Sequence, residues 1–404
     1  MPEPYQPSDE ILTAYARVLV RFAPRRGKGL KKGDCVWLVG EEETKPLYVA
    51  VRNEILRAGG TVIDDYRPSG IARASYELAS PEQLSTFHRA YYRGLAAQVD
   101  HQIYLYSSAD LHELEGVDPA KMTAATRARS PFNAWREKKE ADGLYTWTVC
   151  AYGTDALAAE AGMTAAEYWE QIVKSCYLDD PDPVARLKQT ERELTRVKNK
   201  LTRLQIESVH VEADDGTDLT VKIGSGRKWL SGEGFNIPSF EIFTSPDWRG
   251  TEGTVSFTEP LYYEGAVIEN VRLRFAAGEV VAADADSNVD LLREMIGTDP
   301  GAKRLGEFSL TDGRVSLLDR FMAETLFDEN RGGPEGNFHV ALGNAYQEAY
   351  TGALKGMRKR DWQRIGFNNS VIHTDIVSAS RRRVTATLAS GKRKLIYADG
   401  QFTI

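Results

Sequence analysis

The run Val371-Ile372-His373-Thr374-Asp375-Ile376-Val377 sets an imidazole and a carboxylate two residues apart in an apolar, β-branched setting. In a strand, residues so spaced project from one face. His373 and Asp375 therefore point one way, and Ile372, Thr374 and Ile376 the other. Burying such a pair costs free energy unless it finds a partner. A divalent metal is one partner, since neutral imidazole and carboxylate are both ordinary ligands. A plain His–Asp hydrogen bond at a sheet edge is the bland alternative.

Three earlier segments of the same half also carry metal-competent residues. Glu241 lies between Phe240 and Ile242, where it can equally face solvent. Glu307 follows a glycine in Leu305-Gly306-Glu307-Phe308, a place where the backbone can approach a site closely. Phe327-Asp328-Glu329-Asn330 leads on to Asn337-Phe338-His339-Val340-Ala341-Leu342-Gly343 and Tyr346. A helix from His339 onward would place Tyr346 two turns along, near the same face. The four segments together offer two Glu, two His, one Asp and a phenol. Oxygen and nitrogen donors without thiolate suit Zn, Co, Mn or Mg. Five ligands exceed what one catalytic zinc needs. They fit two ions roughly 3.5–4 Å apart that share a carboxylate and leave positions open for water. There is no HExxH helix and no G-x-S-x-G elbow, which argues against a zincin and an α/β-hydrolase serine.

The chain that must position these residues has 404 of them, 42% hydrophobic and 27% charged, with a formal net charge of -7. That predicts a soluble globular protein with room for two cored domains. No basic stripe with interleaved aromatics points to nucleic acid, and no apolar run approaches the ~20 residues that span a bilayer. Cys35, Cys150 and Cys176 are sparse and far apart, as in a reducing cytoplasm. Met1-Pro2-Glu3-Pro4 shows no signal-peptide pattern.

In the first half, Pro7 to Phe22 reads as a helix, Cys35 to Val39 as a buried strand, Pro46 onward as a helix ending at Gly59-Gly60, and Thr61 to Ile63 as a strand. That βαβ unit predicts a parallel sheet, with further strands at Gln102–Tyr106 and Gly143–Cys150. Gly40-Glu41-Glu42-Glu43 is acidic and would repel a phosphate, so nucleotide binding is not expected and this sheet serves as scaffold or lid. A helix over Ala165–Leu178 and a Pro/Asp break lead to a long helix, Val184–Ile206, with Leu187, Leu194 and Leu201 on one stripe. Its end sets the expected boundary: 1–206 an α/β domain, 207–404 a metal-binding domain. From Ser208 the apolar period becomes two. A hairpin turns at Asp215-Gly216, strands follow at Gly253–Phe257, Ala266–Phe275 and Glu279–Ala283, and helices at Val289–Ile296, Asp319–Phe327 and Ala341–Tyr350. The second half is thus α+β, with a largely antiparallel sheet carrying the metal site.

These four segments, in this order, resemble the M29 metallopeptidases, the thermophilic aminopeptidase or aminopeptidase T/S family, over most of the chain. The resemblance rests on NIPSFEIFTSP, LGE, FDEN followed by H-x-A-L-G-x-A-Y, and I-H-x-D. It implies Glu241, Glu307, His339, His373 and Asp375 as ligands of two divalent ions, with Tyr346 a ligand or close to them. It also implies removal of N-terminal residues from peptides with a free N-terminus by a metal-activated water, and a homodimer. Glu307 is then the candidate bridging ligand and general base, and Tyr346 a donor to the oxyanion. Two departures stand out. Arg331–Asn337 intervenes between FDEN and the histidine, an insertion expected at the pocket rim. Phe240 stands where the family often carries an acid or a small polar residue. A non-heme iron ring-cleaving dioxygenase is the rival enzyme, needing only His339, His373 and Asp375; it leaves Glu241 and Glu307 without roles. A non-catalytic metal-binding protein is the third reading.

Overall fold

A computed structural model of the chain describes residues 5–354 and 356–404; the opening Met1-Pro2-Glu3-Pro4 lies outside the described residues. The fold divides into two compact units. One comprises Met1–Glu191, Gly232–Ser239 and Arg320–Phe327, the other Arg192–Ser231, Phe240–Asp319 and Asp328–Ile404. Against the expected boundary at 206, the chain changes unit at Glu191, inside the helix Pro183–Arg203, and two short later segments belong to the first unit.

The first unit is built on a parallel sheet. Its strand order is Thr61–Arg67, Cys35–Glu41, His101–Tyr106, Thr146–Ala151, Asn236–Ile237. The expected βαβ unit is present, its helix Lys45–Arg57 carrying Pro46 in the first turn, where the missing N–H costs nothing. The opening helix Asp9–Arg21 is capped by the Ser8 hydroxyl, which accepts from the Ile11 N–H.

The second unit packs two antiparallel sheets around one core. The larger runs Glu279–Asp284, Arg272–Ala276, Glu252–Ser256, Asp218–Lys222, Ile206–Ala213, Arg382–Leu388, Arg393–Ala398, Gln401–Phe402. The smaller runs His373–Ser378, Asn337–Gly343, Leu305–Thr311, Glu241–Thr244, Leu230–Ser231. Ile242, Leu305, Phe308, Leu310, Phe338, Val340, Leu342, Ile372 and Ile376 of this smaller sheet join Val209, Val211, Val221, Val384 and others of the larger one in a common hydrophobic core. Leu194 and Leu201 of the long helix join it too. The side chains that alternate with these apolar ones take the other face, and Glu241, Glu307, His339, His373 and Asp375 are among them.

Three helix or strand expectations fail. Ala341–Tyr350 is not a helix: Asn337–Gly343 is a strand paired on both sides, followed by a single 3-10 turn, Gln347–Ala349. Phe338, Val340 and Leu342 already alternate with period two, and pairing with two neighbours outweighs the helix propensity of the alanines. Asp319–Phe327 is helical only from Thr325, in Thr325–Asp328. The strand expected over Ala266–Phe275 is cut in two around Asn270, whose left-handed φ of 51° turns the chain.

Candidate metal centre

The strand Leu305–Thr311 is the centre of the smaller sheet, and its register explains how Glu307 reaches the site. Leu305 pairs with Leu342 and Glu307 with Ala341, so Gly306 is an extra residue, a bulge. The bulge lets Leu305 share the core face with Phe308 and Leu310 while Glu307 and Ser309 face away. Only glycine fits there: a Cβ on Gly306 would lie 2.1 Å from the Asn344 carbonyl oxygen. On one side, Ser309 pairs with Phe243 of the Glu241 strand. On the other, it pairs with His339, and the His339 strand pairs in turn with the one carrying His373 and Asp375.

These strands bring five of the six expected residues together. His339 Nε2 lies 3.3 Å from Glu241 Oε2, 3.4 Å from Glu307 Oε1 and 3.9 Å from Asp375 Oδ1. His373 Nε2 lies 3.5 Å from Glu307 Oε2 and 3.6 Å from Asp375 Oδ1. Glu241, against the solvent-facing alternative, is buried, and the Ser309 hydroxyl donates to it at 3.3 Å. The His373 ring is held from behind, its Nδ1 2.8 Å from the Asn344 carbonyl oxygen, the arrangement that orients a ligating imidazole. His373 and Asp375 keep 24% and 19% of their side-chain surface open, which leaves the cluster a way in.

Tyr346, the sixth, arrives by a loop and not by a helical face. Its N–H donates to the Ser245 hydroxyl at 2.8 Å, and its ring packs edge-on against the His373 ring, centroids 4.9 Å apart. Burial and the carboxylates of Glu307, Asp375, Glu241 and Glu329 hold its phenol well above the ordinary range, so it stays a proton donor.

One residue was missed. Glu329, Asp375 and His339 each offer a ligand atom within 4.8 Å of the others, a third such group beside Glu241/Glu307/His339 and Glu307/His373/Asp375. The sequence marks Phe327-Asp328-Glu329-Asn330 as part of the motif but holds nothing that favours Glu329 over Asp328.

The electrostatics are those of crowded like charges. Burial pushes Glu241 and Asp375 above the usual carboxylate range, and Glu307 and its neighbours add to it. Glu329 rises well above it for the same reasons. At Glu307 burial acts the same way but the two imidazoles outweigh it, and its pKa is lowered. Burial would lower both histidines, yet the carboxylates win: His339 rises well above its ordinary value and His373 to about 9. Asp375 Oδ1 and His339 Nδ1 are buried with no hydrogen-bond partner. Acid-rich donors with an orphaned buried oxygen fit a divalent cation, which neutralises what the protein leaves uncompensated.

A family model described as thermophilic metalloprotease (M29) matches residues 8–402. The chain belongs to the M29 family. This M29 chain is 27% identical to Aminopeptidase AmpS of Bacillus subtilis (strain 168) over 97% of its own length and 98% of that protein. It is 29% identical to Aminopeptidase T of Thermus thermophilus over 96% and 98%. The solved structure of wild-type AmpT from Thermus thermophilus superposes with a TM-score of 0.80 at 25% identity, covering 98% of this chain and 99% of that one. The expected family and the fold class, an α/β half with an antiparallel second half, are therefore borne out. A 2,5-dihydroxypyridine dioxygenase from Pseudomonas putida KT2440 reaches only 0.49 at 13% identity, which decides nothing about chemistry. Membership makes this M29 chain a metal-dependent peptidase. Among the described residues no helix is long and apolar enough to cross a membrane.

Proposed function

We propose that the chain is a dinuclear aminopeptidase in which Glu241, Glu307, His339, His373 and Asp375 hold two divalent ions. The names of its relatives support the aminopeptidase activity. The observation that carries the two-ion reading is the position of Glu307: one carboxylate oxygen faces His339 and the other faces His373. That is where a carboxylate shared by two ions belongs. Divalent ions held there supply Lewis acidity, polarising a carbonyl and making water a nucleophile at neutral pH. Nitrogen and oxygen donors suit Zn, Co, Mn or Mg.

The chain's own groups divide the remaining work. Glu307 takes a proton from the attacking water and returns it to the leaving amine. The Tyr346 hydroxyl, kept protonated beside the His373 ring, donates to the oxyanion as it forms. The acids around the centre favour a substrate with a cationic N-terminus. Three buried free cysteines suit a reducing cytoplasm, and the resemblance to the family supports a homodimer, which light scattering of the purified protein would check.

The test compares a peptide carrying a free α-amine with its N-acetylated form, on metal-loaded protein and with a chelator control. The free peptide should be shortened one residue at a time from its N-terminus and the acetylated one left intact. Equal cleavage of both would point to an endopeptidase.

A further inference from the structure

Resting on the two-ion reading above, the two ion positions differ in what holds their ligands. Glu307, His373 and Asp375 form one group of donors, and Glu241, Glu307 and His339 another. On the His373 side the imidazole itself is fixed, its Nδ1 2.8 Å from the Asn344 carbonyl oxygen. On the His339 side that support is missing: His339 Nδ1 is buried with no hydrogen-bond partner among the described residues. A ligating imidazole is ordinarily oriented through its second nitrogen. The His339 side must therefore draw its order from another ligand.

Ser309 acts on that ligand. The strand Leu305–Thr311 is bonded on both edges, and Ser309 stands opposite His339 on one side and Phe243 on the other. Glu241 precedes Phe243 by two residues, so it is the diagonal neighbour of Ser309 on the same face. The Ser309 hydroxyl donates to Glu241 Oε2 at 3.3 Å, and His339 Nε2 lies 3.3 Å from that same oxygen. Ser309 is 0% exposed and Glu241 6%, so solvent does not compete for the contact. A carboxylate offers several lone pairs and can turn among them. A hydroxyl fixed on a central strand takes one and turns the rest toward the ion.

The competing role is that of a small filler beneath a crowded centre, like Ala341 opposite Glu307. Alanine would then serve at 309 as well as serine does.

We propose that Ser309 is a positioning residue for Glu241, and that through Glu241 it sets the affinity of the ion on the His339 side without supporting the ion on the His373 side. Its hydroxyl carries the function, and its loss falls on one ion of the two.

The experiment challenges full-length, cobalt-loaded wild type, S309A and S309T with graded free chelator. Retained metal is counted by atomic emission, the visible cobalt spectrum follows the coordination of what remains, and the thermal midpoint of each metal-free protein is recorded. S309A should release one ion at a free-metal level about 10–100-fold higher than wild type, the usual scale for a group behind a metal ligand. The second ion should stay at the wild-type level. Anomalous diffraction from S309A crystals that keep one ion should place it beside His373 and Asp375. S309T keeps the hydroxyl and should restore retention of both. Wild-type retention by S309A, first loss of the ion on the His373 side, or equal release of both ions with a lowered metal-free midpoint would each overturn the proposal. So would a folded S309T that releases metal as readily as S309A. If S309T does not fold, S309A decides alone. If S309A does not fold, S309C, close to serine in size and a weaker donor, takes its place with the same expectation. A wild-type stoichiometry of one ion would instead overturn the two-ion reading, and Ser309 would then stand or fall on whether S309A loosens that ion.

Discussion

His101 in the parallel-sheet unit and His339 in the antiparallel unit are buried almost equally, at 5% and 1% exposed. Both stand on strands, and both face acids. Around His101 the polar groups close on themselves: Nε2 lies 3.0 Å from Asp34 Oδ2 and Nδ1 2.7 Å from Thr146 Oγ1. Around His339 a single nitrogen meets three carboxylates and the other nitrogen has no partner. The outcome is opposite. Burial holds the pKa of His101 below its ordinary value even with Asp34 beside it, whereas the carboxylates drive His339 far above. One histidine is a structural pin, and the other sits in a cluster that needs something from outside. Burial alone does not tell them apart; the charge left uncompensated does.

The comparison breaks most visibly on metal removal. Chelation should abolish peptidase activity and lower the melting temperature, with Zn or Co restoring both. An ion held at about 100 times its dissociation constant contributes about 2.7 kcal/mol to folding. Full activity in exhaustively chelated protein, checked by atomic emission, would sink the reading. Next in size is Glu307→Gln, which keeps one ligand oxygen and removes the base. Turnover should fall by about two to four powers of ten. Metal content must be measured on the same sample, and near wild-type turnover with both ions bound would remove Glu307 as the base.

The structural pin should respond in the other currency. His101→Asn leaves Asp34 or Thr146 short of a buried partner, which costs about 1–3 kcal/mol by denaturant unfolding. Metal affinity should be unchanged. Loss of metal with no loss of stability would mean the two histidines had been assigned the wrong way round.

The smallest effect is a contrast in pH dependence between metal-free and metal-loaded protein. Without metal, His373 has its folded pKa raised to about 9. Its contribution is therefore complete below the unfolded value of about 6.5 and is lost as pH rises through 9, at up to about 1.4 kcal/mol per unit. His101 has the opposite sign: its folded pKa is lowered, so its burial weakens the fold only as pH falls below about 6.5. Metal-loaded protein keeps its ligating imidazoles neutral and should lose the decline between about pH 6.5 and 9. Urea titrations at several pH values with and without metal would show it, and parallel curves would contradict it.

Much of this was legible in the chain itself. The same-face pairing of His373 and Asp375 needs only the two-residue period of a strand, and the βαβ unit needs only a helix between two apolar runs. The donor types, nitrogen and oxygen without thiolate, are equally local. These are local properties, carried by residues a few positions apart. Tertiary structure decided the rest. Ala341–Tyr350 reads locally as a helix; two flanking strands, distant in sequence, instead take Asn337–Gly343 into the sheet, and a single 3-10 turn follows. Nothing local says that Gly306 is a bulge that turns Glu307 toward the histidines, since a bulge exists only against a partner strand. Glu329 became visible for the same reason. Its distances to His339 and Asp375 are set by Asn330, Thr311, Ser316 and Asn337 folding around it, and long-range pairing of that kind has no periodicity to betray it. The identities of the donors are written in sequence, whereas their sharing of one charge-crowded volume comes from non-local strand pairing and burial.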